Sequence, residues 1–202
     1  MITIVDYGVG NLFSLKSSFG FAGAEAQVTG DADTLLHAEK IVLPGVGAFE
    51  DAARKLRELG LDQVLRQAAA HGTPLLGICL GMQLLFDTSY EYGVHAGLRL
   101  IPGTVRPIAD VIPVGLKIPH IGWNALHFER SDCPLFSQVR EGDCVYFVHS
   151  YYADCGNAVV ATAEYGAPLT AAVQRENVYG CQFHPEKSGQ VGINILKAFC
   201  AL

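Results

Sequence analysis

The chain has 202 residues, of which 50 % are hydrophobic and 17 % are charged. A chain of this length and composition buries roughly 70 % of the surface that its unfolded form exposes, so it needs no disulfide or structural metal to fold. Twenty acidic residues against fourteen basic ones give a formal net charge of -6, which argues against a surface that follows the phosphates of nucleic acid. We expect a single domain over residues 1–202.

The start of the chain and its cysteines indicate a cytoplasmic protein. Met1 is followed directly by the apolar run Ile2–Val5, without basic residues or a small-residue cleavage site, so we expect no signal peptide. No apolar run approaches the ~20 residues that cross a bilayer, and we expect no contact with a membrane. The six cysteines include no C-x-x-C pair, so we expect no zinc, no other cofactor and no disulfide framework.

Short apolar runs alternate with helical patterns in the first half of the chain. Four runs are typical of buried strands, namely Ile2–Val5, Ala26–Thr29, Lys40–Leu43 and Pro74–Ile78. The periodicity predicts a helix with Asn11 as its N-cap, a helical stretch over 48–70 that breaks near Gly60, and a helix over Leu80–Phe86. Because buried strands that alternate with helices form parallel sheets, we expect an α/β fold with a mostly parallel central sheet and helices on both faces.

The second half of the chain has strand-like segments separated by turn residues. They cover residues 97–108, 116–128, 143–152, 157–164 and 169–183. Asn177 lies at a predicted hairpin within the last of them. A final helix is predicted over 189–201, where Val191, Ile195 and Phe199 recur every four residues. We therefore expect an antiparallel extension of the sheet in this half.

The segment Gly77-Ile78-Cys79-Leu80-Gly81 lies between a predicted strand and a predicted helix. This spacing is typical of a nucleophile elbow, where a sharp turn lifts the central side chain out of the sheet and the glycines leave room around it. The helix N-terminus favours the thiolate form of Cys79, and the Leu80 N–H group is free to stabilise an oxyanion. Cys79 is therefore the candidate nucleophile, with a buried cysteine in a glycine-rich turn as the alternative.

A thiolate nucleophile needs a base, and a third group that orients the base. Among seven histidines, His184 stands just past an apolar strand, where a parallel sheet delivers residues to its active edge. Glu186 follows two residues later, close enough to accept from the far imidazole nitrogen. Alone, His184 would be read as an ordinary surface histidine, but beside an activated cysteine it predicts a triad of Cys79, His184 and Glu186.

The turn Pro44–Gly47 follows the predicted strand Lys40–Leu43. Its two glycines let backbone N–H groups approach a substrate closely. By itself this is an ordinary connection between a strand and a helix. Together with a nucleophile at Cys79, it makes the N–H group of Val46 or Gly47 the second candidate oxyanion donor.

These three pieces together resemble the class I, or triad, glutamine amidotransferases. The elbow of that family is matched by Gly77–Gly81, and its H-P-E motif is matched by His184–Glu186. The resemblance covers essentially the whole chain. It implies that the protein hydrolyses glutamine through a γ-glutamyl thioester on Cys79 and passes the ammonia to a synthase.

Five segments resemble, more narrowly, the branch of this family that serves histidine biosynthesis. They are Asp6–Asn11, Pro44–Gly47, Pro119–Asn124, Tyr146–Tyr152 and His184–Ser188. The resemblance implies a heterodimer with a cyclase subunit of (β/α)8-barrel fold, which consumes the ammonia. The residues that it assigns to glutamine binding are Gln83, Glu91, Ser150 and Tyr151. The residues that it places against the cyclase are Asn11, Trp123, Tyr146 and Lys187.

Several of these residues have a plainer interpretation. Glu91 could be a solvated loop charge, and the family's second acid before it is replaced here by Tyr90. Trp123 could be a core residue, because aromatic side chains dominate buried area. Lys187 could be a solvated lysine.

Three other functions fit the same residues. An amidotransferase for chorismate or pyridoxal phosphate synthesis would share the triad, but the segments Asp6–Asn11 and Pro119–Asn124 argue against it. A stand-alone thiol hydrolase acting on peptides or γ-glutamyl amides would turn over without a partner. A non-catalytic binding subunit on the same fold would not need the complete triad of Cys79, His184 and Glu186.

Overall fold

The computed structural model covers residues 1–202 and contains fourteen strands and six α-helices. The strands are β1 (Ile2–Val5), β2 (Ala26–Thr29), β3 (Lys40–Leu43), β4 (Leu75–Ile78), β5 (Thr88–Ser89), β6 (His95–Ala96), β7 (Thr104–Pro107), β8 (His120–Ala125), β9 (His127–Phe128), β10 (Cys144–His149), β11 (Tyr151–Asp154), β12 (Val159–Glu164), β13 (Pro168–Arg175) and β14 (Val178–Cys181). The helices are α1 (Leu12–Phe21), α2 (Ala32–Leu36), α3 (Phe49–Glu58), α4 (Leu61–Ala70), α5 (Leu80–Gln83) and α6 (Gly189–Cys200). None of the helices has both the length and the apolar character that crossing a bilayer requires.

Eight strands form the central sheet, in the order β2-β1-β3-β4-β14-β13-β12-β9. The first five run parallel to one another, and β13, β12 and β9 continue the sheet in antiparallel pairing. All residues of β1, β4 and β14 are buried, which explains why these strands read as continuous apolar runs and not as alternating ones. The expected mostly parallel sheet with an antiparallel extension is confirmed.

Helices cover both faces of this sheet, and each face has its own hydrophobic core. On one face, residues of α3 and α4 such as Phe49 and Leu65 pack with Val5 and Leu43 of the strands. On the other face, residues of α1 and α6 such as Phe19 and Phe199 pack with strand side chains that point the opposite way. The division follows from the alternation of side chains along a strand, and it fixes the sheet rigidly between two layers.

The parallel strands β3, β4 and β14 lie side by side, so their carboxyl ends meet at one edge of the sheet. The segment Pro44–Gly47 leaves β3 at this edge, Cys79 leaves β4, and Gln182–His184 leaves β14. A hydrogen bond of 2.8 Å from the Cys79 N–H group to the Cys181 carbonyl holds the last two together. We call this the active edge of the sheet, because the candidate nucleophile, base and oxyanion donors all lie on it.

Strands β8 and β10 form a separate two-stranded ribbon that pairs His120 with His149 and Trp123 with Tyr146. Because successive residues of a strand point to opposite faces, one face of the ribbon carries the two histidines and the other carries Ile121, Trp123 and Tyr146. Strands β11, β7, β5 and β6 form a small four-stranded sheet beside it.

The structure differs from the sequence prediction around the elbow. The helix expected over Leu80–Phe86 ends at Gln83, because the carbonyl groups of residues 84–86 accept hydrogen bonds from N–H groups of residues 98–101 and not from a further helical turn. For the same reason the predicted strand over 97–108 is extended only at Thr104–Pro107. The short helix α2 is an addition that the apolar pattern did not predict.

Candidate active site

Cys79 occupies a strained turn between β4 and α5. Its φ of 56° and ψ of -113° lie in a backbone region that residues other than glycine rarely adopt. A Cβ atom on Gly77 would come within 2.6 Å of the Gly81 carbonyl oxygen, and one on Gly81 would collide with the carbonyl oxygen of Leu43. Both glycines are therefore required by close backbone contacts, as the elbow motif predicts.

His184 and Glu186 form a buried pair beside this turn. The His184 Nδ1 atom lies 2.7 Å from Glu186 Oε1, and the side chains are 4 % and 6 % exposed. The His184 backbone is fixed as well, because its N–H group donates to the Tyr146 carbonyl at 2.9 Å. Burial lowers the pKa of His184, but interactions with Cys79 and Glu186 outweigh this effect and raise it to about 9. The pair therefore favours an imidazolium beside the Cys79 sulfur.

The Cys79 sulfur has a second polar neighbour, the amide of Gln182. Gln182 Nε2 lies 3.8 Å from Cys79 Sγ, and this is the hydrogen bond that the sulfur accepts. The His184 ring also lies close to this sulfur, because the hydrogen bond and the charge interaction with Cys79 both help to raise the pKa of His184. A positively charged ring and an amide donor therefore both lie beside the Cys79 sulfur.

The segment Pro44–Gly47 is pressed against the elbow by Tyr7. The buried Tyr7 hydroxyl donates to the Pro44 carbonyl at 2.7 Å. A Cβ atom on Gly45 would lie only 2.7 Å from the Gly81 N atom, so only glycine allows this approach. The N–H groups of Val46 and Gly47 make no backbone hydrogen bond, which leaves both available to an oxyanion.

A cavity of about 560 Å³ opens at the active edge. It is lined by nine of the residues that the sequence predicts for the site: Val46, Gly47, Cys79, Leu80, Gln83, Glu91, Ser150, Tyr151 and His184. Its volume suits a ligand the size of a free amino acid in a pocket that is partly open to solvent. Glu186 does not line the cavity. It contacts the Nδ1 atom of His184, as expected of a group that orients the ring.

Two of the predicted glutamine-binding side chains are engaged with the protein itself. Gln83 is buried, and its Nε2 atom donates to Gln182 Oε1 at 2.9 Å and to the Tyr151 carbonyl at 3.3 Å. Glu91 Oε2 accepts a hydrogen bond of 2.7 Å from the Phe49 N–H group, at the start of α3. Burial raises the pKa of Glu91, although the Phe49 N–H group lowers it. Glu91 is thus a partly buried carboxylate at the cavity and not a freely solvated loop charge.

Ser150 and Tyr151 lie where the chain passes from β10 to β11. The Ser150 carbonyl accepts from the Ile108 N–H group at 3.0 Å, whereas the Ser150 N–H group makes no backbone hydrogen bond. Because Ser150 lines the cavity, its unpaired N–H group is a candidate donor to a carboxylate.

The four residues predicted to face a partner are all at least partly exposed. Trp123 is 58 % exposed, so it is not a core residue. Its ring lies 6.2 Å from that of Tyr146, and Lys187 Nζ lies 6.0 Å from the Tyr146 ring centre, so these three residues form one cluster. Asn11 lies apart from them in sequence and caps α1 by accepting from the Ser14 N–H group at 3.2 Å. Its predicted N-cap position is confirmed.

The chain matches a known protein family over almost its whole length. The family model described as glutamine amidotransferase class-I matches residues 3–201. The chain belongs to the class-I glutamine amidotransferases. Solved structures agree on the fold: a PurLQS structure from Thermotoga maritima and a structure described as a glutamine amidotransferase each give a TM-score of 0.76. They are 22 % and 19 % identical to this chain and cover 99 % of it, and the chain covers 97 % and 100 % of their lengths.

Curated proteins of much higher identity carry a more specific name. The imidazole glycerol phosphate synthase subunit HisH of Bacillus cereus is 48 % identical over 200 residues, covering 98 % of this chain and 93 % of its own. The subunit of the same name from Geobacillus thermodenitrificans is 49 % identical over 206 residues, covering 100 % of this chain and 96 % of its own.

Sequence reasoning missed four residues around this amidotransferase site: Tyr7, His120, His149 and Gln182. Gln182 and Tyr7 leave β14 and β1 at the same edge of the sheet as Cys79, a placement that the strand order would have predicted. His120 and His149 gave no such signal. They meet only because β8 pairs with β10, a register that apolar patterns alone do not fix.

Proposed function

We propose that this chain is the glutaminase subunit of an imidazole glycerol phosphate synthase. It hydrolyses glutamine to glutamate and ammonia, and delivers the ammonia to a cyclase subunit of (β/α)8-barrel fold, with which it forms a heterodimer in histidine biosynthesis. The observation that carries the proposal is the convergence of Cys79, His184 and Glu186 at one edge of an amidotransferase fold. Near-complete alignment with the two HisH subunits supports the choice of synthase. Residues 1–202 act as a single domain.

The reaction begins with attack on the side-chain amide of glutamine. The Cys79 thiolate forms a bond to the carboxamide carbon, and the C=O electron pair moves onto the oxygen. The N–H group of Leu80, at the start of α5, and that of Val46 or Gly47 stabilise this oxyanion. Each such donor contributes about 3–4 kcal/mol to the stability of the transition state.

His184 then acts as general acid and afterwards as general base. Its Nε2 proton passes to the leaving nitrogen, so that the C–N bond breaks, ammonia departs and a γ-glutamyl thioester remains on Cys79. The neutral ring next accepts a proton from water, which attacks the thioester, and glutamate leaves as the Cys79 thiolate is restored. Glu186 holds the ring in the required tautomer throughout.

The remaining predicted residues bind the substrate. The Ser150 N–H group donates to the α-carboxylate of glutamine, and Tyr151 closes the same side of the cavity. The Glu91 carboxylate pairs with the α-ammonium group, which competes there with the Phe49 N–H group. Gln83 supports both the Tyr151 carbonyl and the Gln182 amide beside the nucleophile.

The cyclase docks on the exposed cluster of Trp123, Tyr146 and Lys187, with Asn11 also facing it. The Tyr146 carbonyl accepts a hydrogen bond from the His184 N–H group. A backbone hydrogen bond therefore connects the docking face directly to the catalytic base. Ammonia released at Cys79 reaches the cyclase and enters its phosphoribulosyl-imidazole precursor. The products of the complex are imidazole glycerol phosphate and an aminoimidazole carboxamide ribotide.

The test is glutamate release by the chain alone and with a purified cyclase subunit and its ligand. We expect release that depends on the cyclase, and a loss of at least about a thousandfold in Cys79→Ala. Cys200→Ala is the matched control, because Cys200 is a partly buried cysteine outside the cavity and lies near Lys40, at the opposite end of the strands from the active edge. Glutamate release that persists in Cys79→Ala would contradict the nucleophile assignment. Full turnover without any partner would instead favour a stand-alone thiol hydrolase.

A further inference from the structure

Two histidines outside the proposed triad lie buried against each other in the β8–β10 ribbon. His120 and His149 are 2 % and 6 % exposed. They are directly paired across the ribbon, and His120 Nδ1 lies 3.0 Å from His149 Nε2. His149 lines the same cavity as Cys79. A pair of facing imidazoles without a carboxylate partner needs a specific placement of protons, and the surrounding groups determine it.

The tautomer of each ring follows from its neighbours. His149 Nδ1 lies 2.8 Å from the Tyr151 carbonyl, which can only accept, so this nitrogen carries a proton and Nε2 of the neutral ring is an acceptor. His120 must then donate to it from Nδ1, which leaves His120 Nε2 as an acceptor. The donor there is Asn124 Nδ2 at 3.3 Å, whose amide is oriented by a bond of 2.8 Å to the Glu164 carbonyl. The bonds therefore run in one direction, from Asn124 through both rings to Tyr151.

Both rings are neutral in this arrangement, and their surroundings keep them so. Burial, above all, lowers the pKa of His149 to about 4; the bond to Tyr151 raises it, and the nearby His120 and His184 rings lower it. Burial also lowers the pKa of His120, which is stacked between Phe147 and Tyr165 at ring distances of 4.9 and 4.2 Å. A charge on His149 would repel the imidazolium of His184.

The chain of bonds ends on a carbonyl that matters for the site. The Tyr151 carbonyl also accepts from Gln83 Nε2 at 3.3 Å. Gln83 in turn donates to Gln182 Oε1, and Gln182 donates to Cys79 Sγ at 3.8 Å. One hydrogen-bonded network thus joins the buried face of the ribbon to the nucleophile. It passes through the turn where Ser150 would receive the substrate carboxylate.

We propose that His149, held in its Nδ1–H tautomer by His120 and Asn124, is a positioning residue for glutamine binding. Its Nδ1–H group fixes the Tyr151 carbonyl, and thereby sets the orientation of the Ser150–Tyr151 backbone at the cavity. The inference rests on the proposed glutaminase function. In this proposal His149 does not contact the reacting atoms. Substitution of His149 should therefore change the binding of glutamine more than the rate of the chemical step.

Two amide substitutions separate this role from simple packing. In His149→Asn the side-chain amide nitrogen can occupy the position of Nδ1 and still donate to the Tyr151 carbonyl. In His149→Gln the amide reaches the Nε2 position instead, and the donor to Tyr151 is lost. With the cyclase present, we expect KM for glutamine to rise about tenfold in His149→Gln with kcat changed less, and to stay within about threefold of wild type in His149→Asn.

A second measurement uses the wild-type protein, so it does not require that any variant folds. Imidazole ¹⁵N NMR of the wild-type protein is expected to show His149 and His120 as neutral Nδ1–H tautomers at pH 7. An Nε2–H tautomer or a protonated ring at His149 would overturn the assignment. So would equal KM values in the two amide variants, or a rise in both that follows their loss of thermal stability. Wild-type protein that releases no glutamate with the cyclase would contradict the proposed function instead, while the NMR result would still stand or fall by itself.

Discussion

Cys79 is held in a backbone conformation that costs of order 1–3 kcal/mol and persists only when its surroundings enforce it. Here the enforcing contacts are explicit. The Cys79 N–H group is bound to the Cys181 carbonyl, and Gly81 is pressed against Leu43 without room for a Cβ atom. The backbone of the proposed nucleophile is therefore fixed by contacts with both neighbouring strands, β14 and β3, and its side chain lines the cavity.

Interactions with Cys79 and with Glu186 keep a proton on His184, and the Glu186 interaction can be removed without touching the proposed nucleophile. The folded-state pKa of His184 is raised from 6.5 to about 9, so the stabilisation of the charged ring is fully present below pH 6.5 and is lost as pH rises through about 9. Glu186→Gln removes the carboxylate that helps to raise it. We expect the alkaline limb of kcat/KM for glutamine, measured with the cyclase, to move to lower pH by about one unit, with a lower plateau.

The matched control for this variant is Glu141→Gln. Glu141 also lies beside an imidazole, with its Oε1 atom 3.1 Å from His127 Nδ1, but both side chains are more than half exposed and lie outside the cavity. The pH profile of Glu141→Gln should match that of the wild type. An unchanged alkaline limb in Glu186→Gln would mean that Glu186 does not set the charge of His184.

At the scale of elements, Tyr7 links the end of β1 to the segment that follows β3. Burial, and secondarily the Cys79 charge, raise the pKa of its hydroxyl, which therefore stays protonated and donates to the Pro44 carbonyl. Tyr7→Phe leaves that carbonyl unpaired and loosens Pro44–Gly47. We expect a loss of about 1–3 kcal/mol in the free energy of unfolding and a fall of about tenfold in kcat/KM for glutamine, measured by urea titration and by the glutaminase assay.

Tyr179→Phe is the control, because it also removes a tyrosine hydroxyl. The Tyr179 side chain lies against Gln174, and Tyr179 stands near the start of β14, at the opposite end from the active edge. This variant should keep the wild-type kcat/KM. If Tyr7→Phe lost stability but kept full activity, the hydroxyl would serve the fold and not the oxyanion segment.

Much of the fold could be predicted from the sequence, since its strands are strongly apolar and its turns carry glycine. The bounds of β1, β2 and β3 agree with the predicted runs, and the hairpin at Asn177 joins β13 to β14 as expected. The break near Gly60 is also confirmed, because Gly60 adopts a φ of 70° between α3 and α4. These are local features, which depend on burial and turn chemistry within a few residues.

The features that the sequence did not reveal depend on contacts between distant residues. The helix after Cys79 ends early because residues 98–101 take over its carbonyl groups, which no periodicity signals. Gln182, which donates to the sulfur of the proposed nucleophile, is separated from Cys79 by 103 residues, and its position follows only once β14 is known to lie beside β4. The candidate triad was predictable because short motifs mark its members, whereas the network behind it required the strand order.

At the scale of the whole molecule, the β8–β10 ribbon connects the cavity, which Val148 and His149 line, with the exposed cluster of Trp123, Tyr146 and Lys187. Its inner face carries His120 and His149, whose hydrogen bonds lead to the cavity, and its outer face carries Trp123 and Tyr146. The two faces share a rigid two-stranded backbone. A partner bound to the outer face, as proposed, is therefore one ribbon away from the turn proposed to position glutamine, and the ribbon is a short physical route by which the two could be coupled.

The proposed docking of the cyclase is expected to depend on Trp123. Trp123 is an exposed aromatic side chain in contact with a second aromatic ring and close to a lysine, as is typical of an interface hot spot. We expect Trp123→Ala to weaken binding of the cyclase by about 2 kcal/mol or more, or roughly thirtyfold in Kd by calorimetric titration. Phe21→Ala is the control, because Phe21 is 78 % exposed at the far end of α1 from Asn11, and its Kd should match the wild type. Equal Kd values for wild type and Trp123→Ala would place the docking surface elsewhere on the protein.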